Sequence, residues 1–574
     1  MSTLTTLRRL LAATFVLLVA TCLVDRLEVL RIARFQLERQ DAVRPLWNTI
    51  VYLATYGLAV FGVAVAFCHR PVVRFAALGI TLGAACVQAG VAAVNGLGFT
   101  HHEASLLLSE SDFLGDALGF FLPEYLLAAI TTLLGGALAS WLALHVGPRL
   151  RSWAWLAFPL AALLTAHQVV DQTFGKVYQF PPPFRVALLA AWAWEHRLPV
   201  YAEREAPYFT PKEAPLTRHI VLVVDESISG HWLGANGAAI DTTPWLSSRP
   251  EGVFNYGIAS SISNQSSSSN LLLQTGLRPA DLPDRALRAL RGPNLFSYLS
   301  AAGFETALID AQTYSDSPPN LMTGYDLRRI DSVIRLRELE AGLPEHAVDF
   351  AALPRIVELL ERHAKSFVYV IKTGAHFPYD DKSPPAQRPF SGGPASGREA
   401  TRESYRNAIH WTTDRFLREL SRRIEATGLE CLVIYTSDHG QWLPEESSEE
   451  RAIARHATVI APPSEQASVP LVLLGFGPRT RAALEDRYSA ALVDAASGYA
   501  IFPTVLQAAG YSPSDTSAHY APSLFEENAA EAPRTFVSGN IFGSHAGAFS
   551  NNPGVGDECF SNRFDVDAVR SAAP

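Results

Sequence analysis

Residues 431–440 read Cys-Leu-Val-Ile-Tyr-Thr-Ser-Asp-His-Gly, a short apolar, β-prone run that stops at an acid–histidine pair and a glycine. Such a run is typical of a buried strand, and polar residues directly after buried parallel strands lie at one edge of an α/β sheet. Residues 219–227, His-Ile-Val-Leu-Val-Val-Asp-Glu-Ser, repeat the pattern and also end in carboxylates. The two runs predict a sheet edge where Asp438 and His439 meet Glu226.

Alternating strand and helix candidates begin at about Thr217 and indicate a largely parallel sheet covered on both faces. The strand candidates are residues 219–224, 253–259, 305–309, 367–371, 431–435 and 470–474. The helix candidates are residues 286–302, 353–365, 401–427 and 501–509. In the tail, residues 534–537 are strand-like, whereas the Gly/Ser/Asn-rich run beyond them is typical of a loop.

The first third of the chain contains long uncharged runs, each able to cross a hydrocarbon core of about 30 Å as a helix. They are residues 46–68, 75–100, 125–148 and 152–170. A shorter run, residues 10–24, follows Arg8 and Arg9 and is interpreted as a first span rather than a cleaved signal peptide, because four spans follow. The Lys/Arg bias favours a cytoplasmic N-terminus, so five spans leave everything after Val170 outside the cytoplasm.

The chain therefore divides into a transmembrane domain of five helices, a linker, an exported α/β domain and a tail. Their predicted bounds are residues 1–172, 173–216, 217–530 and 531–574. The apolar part of the linker, residues 184–194, is too short to cross a membrane. It predicts a helix lying at the membrane surface or, equally, a helix packed on the soluble domain.

Charge and cysteine content limit the possible functions. The formal net charge is −9 over 574 residues, and no Lys/Arg-rich face indicates nucleic-acid binding. Of the five cysteines, Cys431 and Cys559 lie in the exported part, too few for a disulfide framework. Because Cys431 begins an apparently buried strand, we predict a free buried thiol there.

Glu226, Asp438 and His439 each follow closely on a predicted strand, so they could share one ion although they are distant in sequence. Mixed oxygen and nitrogen ligands suit zinc, with manganese as the weaker alternative. The alternative for Ser-Asp-His-Gly is that Asp438 merely caps a helix. The matching carboxylate of Glu226 favours the metal site.

A dense block of hydroxyl groups, Ser-Ile-Ser-Asn-Gln-Ser-Ser-Ser-Ser-Asn, occupies residues 261–270. Coordination to a divalent cation lowers the pKa of a serine hydroxyl enough for attack on phosphorus. Residues 264–274 also fit a loop entering a helix, whose N–H groups would hold an anion, although a flexible polar loop is the alternative. Carboxylate, hydroxyl and Asp-His together indicate metal-activated phosphoryl or sulfuryl transfer. Composition leaves the choice of nucleophile open among Ser266, Ser267, Ser268 and Ser269.

Two further histidines lie near predicted strands. His376 follows residues 367–371, and His456 precedes residues 470–474. Either could bind phosphate oxygens, protonate a leaving group or hold a second ion, and either alone could be an ordinary structural histidine.

Together these features resemble the phosphoethanolamine transferases of Gram-negative envelopes, membrane-anchored members of the alkaline phosphatase and sulfatase-like superfamily. In that family a strand ending in Gly-Glu-Ser/Thr supplies a zinc-binding glutamate, which Glu226 matches, with Asp225 in place of the glycine. The family's nucleophilic threonine stands three residues before a serine and nine before a second hydroxyl residue. Ser269 and Thr275 match these two, which selects Ser266.

The resemblance implies roles for further residues. The family's Ser-Asp-His-Gly matches residues 437–440 and implies that Asp438 and His439 bind zinc; Gly-Ser-His and Leu-His-Gly correspond to the segments of His376 and His456. In many members an Asn, a Thr and a Glu in an outer loop help to bind the lipid head group. The residues resembling them, one position out of spacing, are Asn95, Thr100 and Glu103. The chain departs from the family in having Gln441 where a Glu is usual and in lacking cysteines around the nucleophile.

The resemblance implies a two-step transfer in the inner membrane, with the catalytic domain in the periplasm. Zinc-activated Ser266 would take phosphoethanolamine from phosphatidylethanolamine and pass it to an envelope glycolipid or glycan, such as lipopolysaccharide core or lipid A. It implies one or two zinc ions, with His376 and His456 in catalytic roles, and we expect a monomer. The alternatives are a phosphoglycerol transferase using phosphatidylglycerol, a sulfatase-like metal-dependent hydrolase and an inactive scaffold. Retention of all four central residues argues against the scaffold.

Overall fold

The computed structural model describes most of the chain. The described residues are 3–26, 29–30, 43–95, 99, 122–143, 180–195, 203–284, 286–313, 318–340, 342–390, 398–443, 462–538, 541–542 and 547–551. The chain forms two compact units, Met1–Leu198 and Pro199–Pro574. The four segments predicted from the sequence divide the chain more finely than this and stay predictions.

The N-terminal unit is helical. Its described helices are α1 (Thr3–Val24), α2 (Val43–Phe67), α3 (Pro71–Asn95), α4 (Leu122–Ala143) and α5 (Pro182–Glu195). Among the described residues, three helical stretches are long and apolar enough to cross a membrane, within α1, α3 and α4, and α2 contains a shorter apolar stretch. The fifth predicted span, residues 152–170, lies outside the described residues, so the count of five stays a prediction.

Helix α5 is the predicted linker helix, and its described contacts lie within the N-terminal unit. Phe184, Leu188 and Leu189 are buried in a cluster that includes Ala59 of α2. The guanidinium of Arg185, fully buried, lies 2.8 Å from the carboxylate of Asp25, just beyond α1. A buried guanidinium needs such a partner, so this ion pair fixes how α5 packs on the other helices of the unit.

The second unit is built on a seven-stranded sheet with a separate two-stranded hairpin. Its strands are β1 (His219–Asp225), β2 (Val253–Ser260), β3 (Glu305–Asp310), β4 (Ser332–Arg335), β5 (Ser366–Ile371), β6 (Cys431–Ser437), β7 (Ser468–Phe476), β8 (Thr535–Ser538) and β9 (Gly547–Ser550). The strand order is β2-β7-β6-β1-β5-β3-β4. Strands β6, β1, β5, β3 and β4 are mutually parallel, and β7 is antiparallel to both of its neighbours. The prediction of a largely parallel sheet is confirmed.

Helices surround this sheet. They are α6 (Pro244–Ser247), α7 (Ser266–Thr275), α8 (Arg288–Arg291), α9 (Leu295–Ala301), α10 (Gly324–Arg329), α11 (Leu336–Leu339), α12 (Glu345–Val348), α13 (Ala352–Arg362), α14 (Arg398–Ile409), α15 (Phe416–Thr427), α16 (Pro478–Arg487), α17 (Ile501–Ala508) and α18 (Pro513–His519). The single helix predicted over residues 286–302 is wrong: Gly292 and Pro293 separate α8 from α9, because proline disfavours helical backbone in the residue before it. The long helix predicted over residues 401–427 is interrupted by a π-helical turn, His410–Arg415.

The central strands are buried along their whole length, which explains their continuous apolar sequences. Every residue of β1, β5 and β6 is buried. On one face, Val221 and Val223 pack in a cluster with Ile356 of α13 and with Phe416 and Leu420 of α15. Helices on the faces leave the strand ends as the place where polar side chains meet.

Sequence patterns missed two strands. β4 has four half-buried residues, too short to show a periodicity. β9 lies in the run predicted to be loop, and it pairs with β8. The hairpin matters for the site, because the N–H of Val537 donates to the carbonyl of Ile262 at 2.8 Å and the N–H of Asn264 donates to the carbonyl of Val537 at 3.3 Å. These bonds hold the loop that leads into α7.

Candidate metal centre

Three elements deliver four side chains to one end of the sheet. β1 and β6 are neighbours in register, with Asp225 opposite Ser437. The next residues along the two strands therefore emerge side by side: Glu226 after β1, and Asp438 after β6. The N-terminus of α7 lies at the same edge and contributes Ser266.

The side-chain atoms are within contact distance of one another. The Oγ of Ser266 lies 3.0 Å from Oε2 of Glu226 and 3.2 Å from Nε2 of His439. Nε2 of His439 lies 3.3 Å from Oε1 of Glu226 and 3.8 Å from Oδ2 of Asp438. Ligand atoms of Glu226, Asp438 and His439 all lie within 4.8 Å of one another. The structure thus brings together the four residues predicted to form the metal site; their roles stay predictions.

The four consecutive serines differ in their surroundings. Ser266 is half-buried, whereas Ser267, Ser268 and Ser269 are buried. Ser269 uses its hydroxyl to donate to the carbonyl of Asp438, which ties α7 to the end of β6. Ser266 is the member whose Oγ contacts both Glu226 and His439. The geometry therefore agrees with the choice of Ser266 made from the family spacing.

Unusual backbone geometry fixes the residues that directly follow β1 and β6, which we call the exits of these strands. Ser227, with φ of 59°, occupies the left-handed region that a residue with a side chain rarely adopts. Its N–H donates to Oδ1 of Asp438 at 3.1 Å, and its carbonyl accepts from the hydroxyl of Tyr405 at 2.7 Å. Gly440 packs so closely on the segment entering β7 that a Cβ there would lie 2.1 Å from the carbonyl oxygen of Glu465. Glycine is therefore required directly after the Asp-His pair.

Gln312, missed by sequence reasoning, also contacts the centre. It lies two residues beyond β3, and its Nε2 donates to Oε2 of Glu226 and to the carbonyl of Lys372, both at 2.9 Å. The rule that polar residues after parallel strands converge would have found it, had it been applied to β3.

Two buried carboxyl groups share one imidazole at the centre, and the pKa values of all three groups are strongly shifted. Burial alone would raise the pKa of Glu226, but the hydrogen bond and charge of His439 hold it well below its usual range. Burial and the nearby Glu226 carboxylate raise the pKa of Asp438 well above its usual range. Burial would lower the pKa of His439, but the two carboxylates outweigh it and raise that pKa to about 9. Opposed shifts of two neighbouring buried carboxyl groups are typical of a functional site.

Two further observations fit a bound cation. Oδ2 of Asp438 is buried and makes no hydrogen bond within the described part of the chain. The Nδ1 of His439 lies 2.8 Å from the carbonyl of Gly440, so Nδ1 carries a proton, and Nε2 faces the carboxylates, where it can bind a metal once it loses its own proton. Two carboxylates, one imidazole and a hydroxyl are a donor set that zinc accepts in tetrahedral geometry.

Of the other predicted site residues, the structure describes His376 and Asn95. His376 is partly buried after β5; burial lowers its pKa, while the Glu226 carboxylate opposes that shift. Asn95 ends α3 in the N-terminal unit. His456, Thr100 and Glu103 lie outside the described residues. Cys431 is a free, buried thiol, as predicted.

Comparison with known proteins places this fold and site in a family. The sulfatase family profile matches residues 218–511, just over half of the chain. The chain belongs to the sulfatase family. The matched region begins directly before β1 and contains all four residues of the centre.

Proteins similar to this chain include phosphoethanolamine transferases, which confirms the resemblance inferred from the motifs. "Phosphoethanolamine transferase EptA" of Helicobacter pylori is 26% identical over 281 residues, 47% of this chain and 50% of the relative, so the chain spans about half of its length. The integral membrane lipooligosaccharide phosphoethanolamine transferase A of Neisseria meningitidis superposes with a TM-score of 0.58 at 18% identity, covering 88% of this chain and 97% of that one. The zinc complex of the periplasmic domain of EcEptC from Escherichia coli superposes with a TM-score of 0.51 at 18% identity, covering 62% and 98%. At these identities the two structures show a shared fold.

Proposed function

We propose that this protein is a membrane-anchored, zinc-dependent phosphoethanolamine transferase that works through a phosphorylated serine. One observation carries the proposal: the hydroxyl of Ser266 lies against Glu226 and His439, at the N-terminus of a helix and beside a carboxylate pair that needs a cation. Family membership and the names of the relatives support the same chemistry.

The position of Ser266 suits attack on a phosphodiester. The first N–H groups of α7 have no partner within the helix and attract an anion, so a phosphate group is favoured beside the nucleophile. When bound, zinc would lower the pKa of the serine hydroxyl and neutralise charge on the phosphate. Glu226 accepts the hydrogen bond of the Ser266 hydroxyl and so aims the nucleophile.

The first step forms one bond and breaks another at phosphorus. Oγ of Ser266 attacks the phosphorus of phosphatidylethanolamine, and the bond from phosphorus to the diacylglycerol oxygen breaks. The Ser266 hydroxyl gives up its proton as the new bond forms, the diacylglycerol oxygen takes up a proton in exchange, and phosphoethanolamine stays on Ser266. In the second step an acceptor hydroxyl or phosphate oxygen attacks the same phosphorus and gives up any proton it carries, and Ser266 leaves and takes up a proton.

In this scheme histidines would protonate the leaving group. His376 lies after β5 within electrostatic reach of both Glu226 and His439, and it protonates the diacylglycerol oxygen. His456 shares that role or holds a second zinc ion. Asn95, Thr100 and Glu103 are the proposed contacts to the ethanolamine head group.

The proposed location follows from the N-terminal helices. With apolar helices in the inner membrane and the sheet domain in the periplasm, the lipid donor and a glycolipid acceptor lie in reach of one enzyme. The acceptor is proposed to be an envelope glycolipid or glycan, such as lipopolysaccharide core or lipid A.

Intact-protein mass spectrometry tests the proposal. Protein incubated with phosphatidylethanolamine is expected to gain the mass of one phosphoethanolamine group, and Ser266→Ala is expected to gain none. An adduct of glycerol phosphate mass from phosphatidylglycerol would favour a phosphoglycerol transferase. Steady release of free phosphoethanolamine without an acceptor would favour a hydrolase. Absence of any adduct on zinc-loaded protein with either lipid would contradict the proposal.

A further inference from the structure

A second buried charged cluster lies behind the candidate metal centre. At its middle is the ammonium of Lys372, which is fully buried and lies 2.6 Å from Oδ2 of Asp225 and 3.8 Å from Oδ2 of Asp349. The same Asp225 oxygen accepts a hydrogen bond from the hydroxyl of Tyr435 at 2.8 Å. None of these residues touches the reacting atoms in the scheme above, so that scheme does not explain them.

The cluster joins the exits of two strands. Asp225 is the last residue of β1, and its Oδ1 accepts the N–H of Glu226 at 3.0 Å. Lys372 directly follows β5, and its own N–H donates to the carbonyl of Val224 at 3.0 Å. Asp349 accepts from the N–H of Gly374 at 3.1 Å, two residues before His376. One ionic cluster therefore holds both the backbone of a metal ligand and the loop of the proposed acid.

Close packing leaves this arrangement little freedom. Gly374 has φ of +47°, and a Cβ there would lie 2.6 Å from the backbone nitrogen of Glu226. The N–H of Ala375 donates to the carbonyl of Glu226 at 3.0 Å. A shift of either strand exit would therefore move the other.

The surroundings of the Lys372 ammonium are built for a cation. Its Nζ donates to the carbonyl of Thr412, which lies in the π-helical turn His410–Arg415. Nζ also lies 4.3 Å from the ring centre of Phe416. A buried ion pair adds little stability compared with apolar side chains of the same size, so stability alone does not account for the cluster.

We propose that Lys372 and Asp225 are positioning residues that hold Glu226 and the His376 loop in the geometry that zinc binding requires. The inference rests on the proposed metal centre. Replacing Lys372 by an apolar residue leaves the Asp225 carboxylate uncompensated next to the metal ligand, and the exit of β1 loses its anchor. Partners that orient metal ligands contribute roughly 10–100-fold to metal affinity, which sets the expected effect.

The test measures zinc affinity of the purified full-length protein by competition with a chromogenic chelator, independently of transferase activity. Lys372→Met is expected to bind zinc about 100-fold more weakly. The matched control is Arg204→Met, which breaks a different buried ion pair of the same unit, Arg204–Asp326. The control is expected to lower the melting temperature and to leave zinc affinity within about 2-fold of wild type, because that pair makes no contact with the centre.

A charge-neutral double variant separates positioning from folding. Lys372→Met combined with Asp225→Asn leaves no uncompensated Asp225 carboxylate, but the ion pair that anchors the end of β1 is still missing. The double variant is therefore expected to bind zinc about 10-fold more weakly than wild type. This variant also serves if the single variant does not fold. Double-variant zinc affinity equal to that of Arg204→Met would overturn the inference. If Asp438→Asn left wild-type zinc affinity unchanged, the proposed metal centre itself would fall, and with it the inference.

Discussion

Two carboxylate clusters lie next to each other at the end of β1, and they differ in one respect. The cluster of Asp225 and Asp349 contains its own cation, the ammonium of Lys372. The cluster of Glu226 and Asp438 contains two carboxylates and a single histidine, with one carboxylate oxygen making no hydrogen bond to the described residues. The first cluster is complete as the chain folds, because each of its four carboxylate oxygens accepts a hydrogen bond. The second leaves Oδ2 of Asp438 without one among the described residues, so it is incomplete without a cation. Hydrogen bonding thus separates structural from metal-binding carboxylates where sequence position cannot.

The largest effect is expected where the incomplete cluster meets the substrate. Ser266→Ala removes the proposed nucleophile, so transferase turnover should fall by about 10⁴-fold or more, while zinc affinity should fall far less, since Glu226, Asp438 and His439 remain. Turnover is followed by transfer of radiolabelled ethanolamine from lipid to acceptor. Ser268→Ala, two positions along the same helix, is the matched control and should retain turnover. Comparable losses in both variants would show that the helix, rather than the Ser266 hydroxyl, matters.

The next largest effect is expected when the ion pair of the complete cluster is broken. Asp225→Asn leaves Lys372 buried with a weaker partner, so the free energy of unfolding should fall by about 3 kcal/mol. Denaturant titrations should give this loss with chelator and a larger loss with zinc, because the variant is also expected to bind zinc more weakly. A loss seen only with zinc present would mean that the Lys372 cluster does not stabilise the metal-free fold.

The incomplete cluster should respond in the opposite way. Asp438→Asn relieves the repulsion between two buried carboxylates, so the metal-free protein should unfold at an equal or higher temperature than wild type. The variant should also lose most of the thermal shift on adding zinc, which for a ligand at 1,000 times its Kd corresponds to about 4 kcal/mol in wild type. Differential scanning calorimetry with zinc and with chelator measures both. Destabilisation of the metal-free variant would contradict the charge argument.

The two ends of β1 also differ. The N-terminal end carries a buried histidine that makes the stability of the protein depend on pH. At the N-terminal end, His219 is buried, and burial lowers its pKa to about 4. The unfolded chain binds this proton near pH 6.5, and the folded chain only near pH 4, so the free energy of unfolding falls as pH drops between these values. His219→Asn should remove this acid sensitivity, which for such a pKa difference is at most about 3 kcal/mol, without altering zinc affinity at pH 7. An unchanged pH dependence of unfolding in the variant would show that other groups cause it.

The sequence predicted the sheet edge well because that edge follows one rule. The amino-acid sequence shows two apolar runs that end in Asp225-Glu226 and Ser437-Asp438, and the structure brings the ends of these two strands together. The Lys372 cluster was not predictable, because its central pair, Lys372 and Asp225, is 147 residues apart in sequence and depends on the register of β1 with β5. Strand β4 was not predicted for another reason: its four half-buried residues show no periodic pattern.

The central claim is that Glu226, Ser266, Asp438 and His439 hold one zinc ion. Anomalous diffraction at the zinc absorption edge, from crystals of the full-length protein grown with zinc, tests it most directly. We predict an anomalous peak between these four side chains, with ligand distances of about 2.0–2.2 Å. Zinc bound elsewhere on the chain, with the four side chains in contact and no peak between them, would contradict the account.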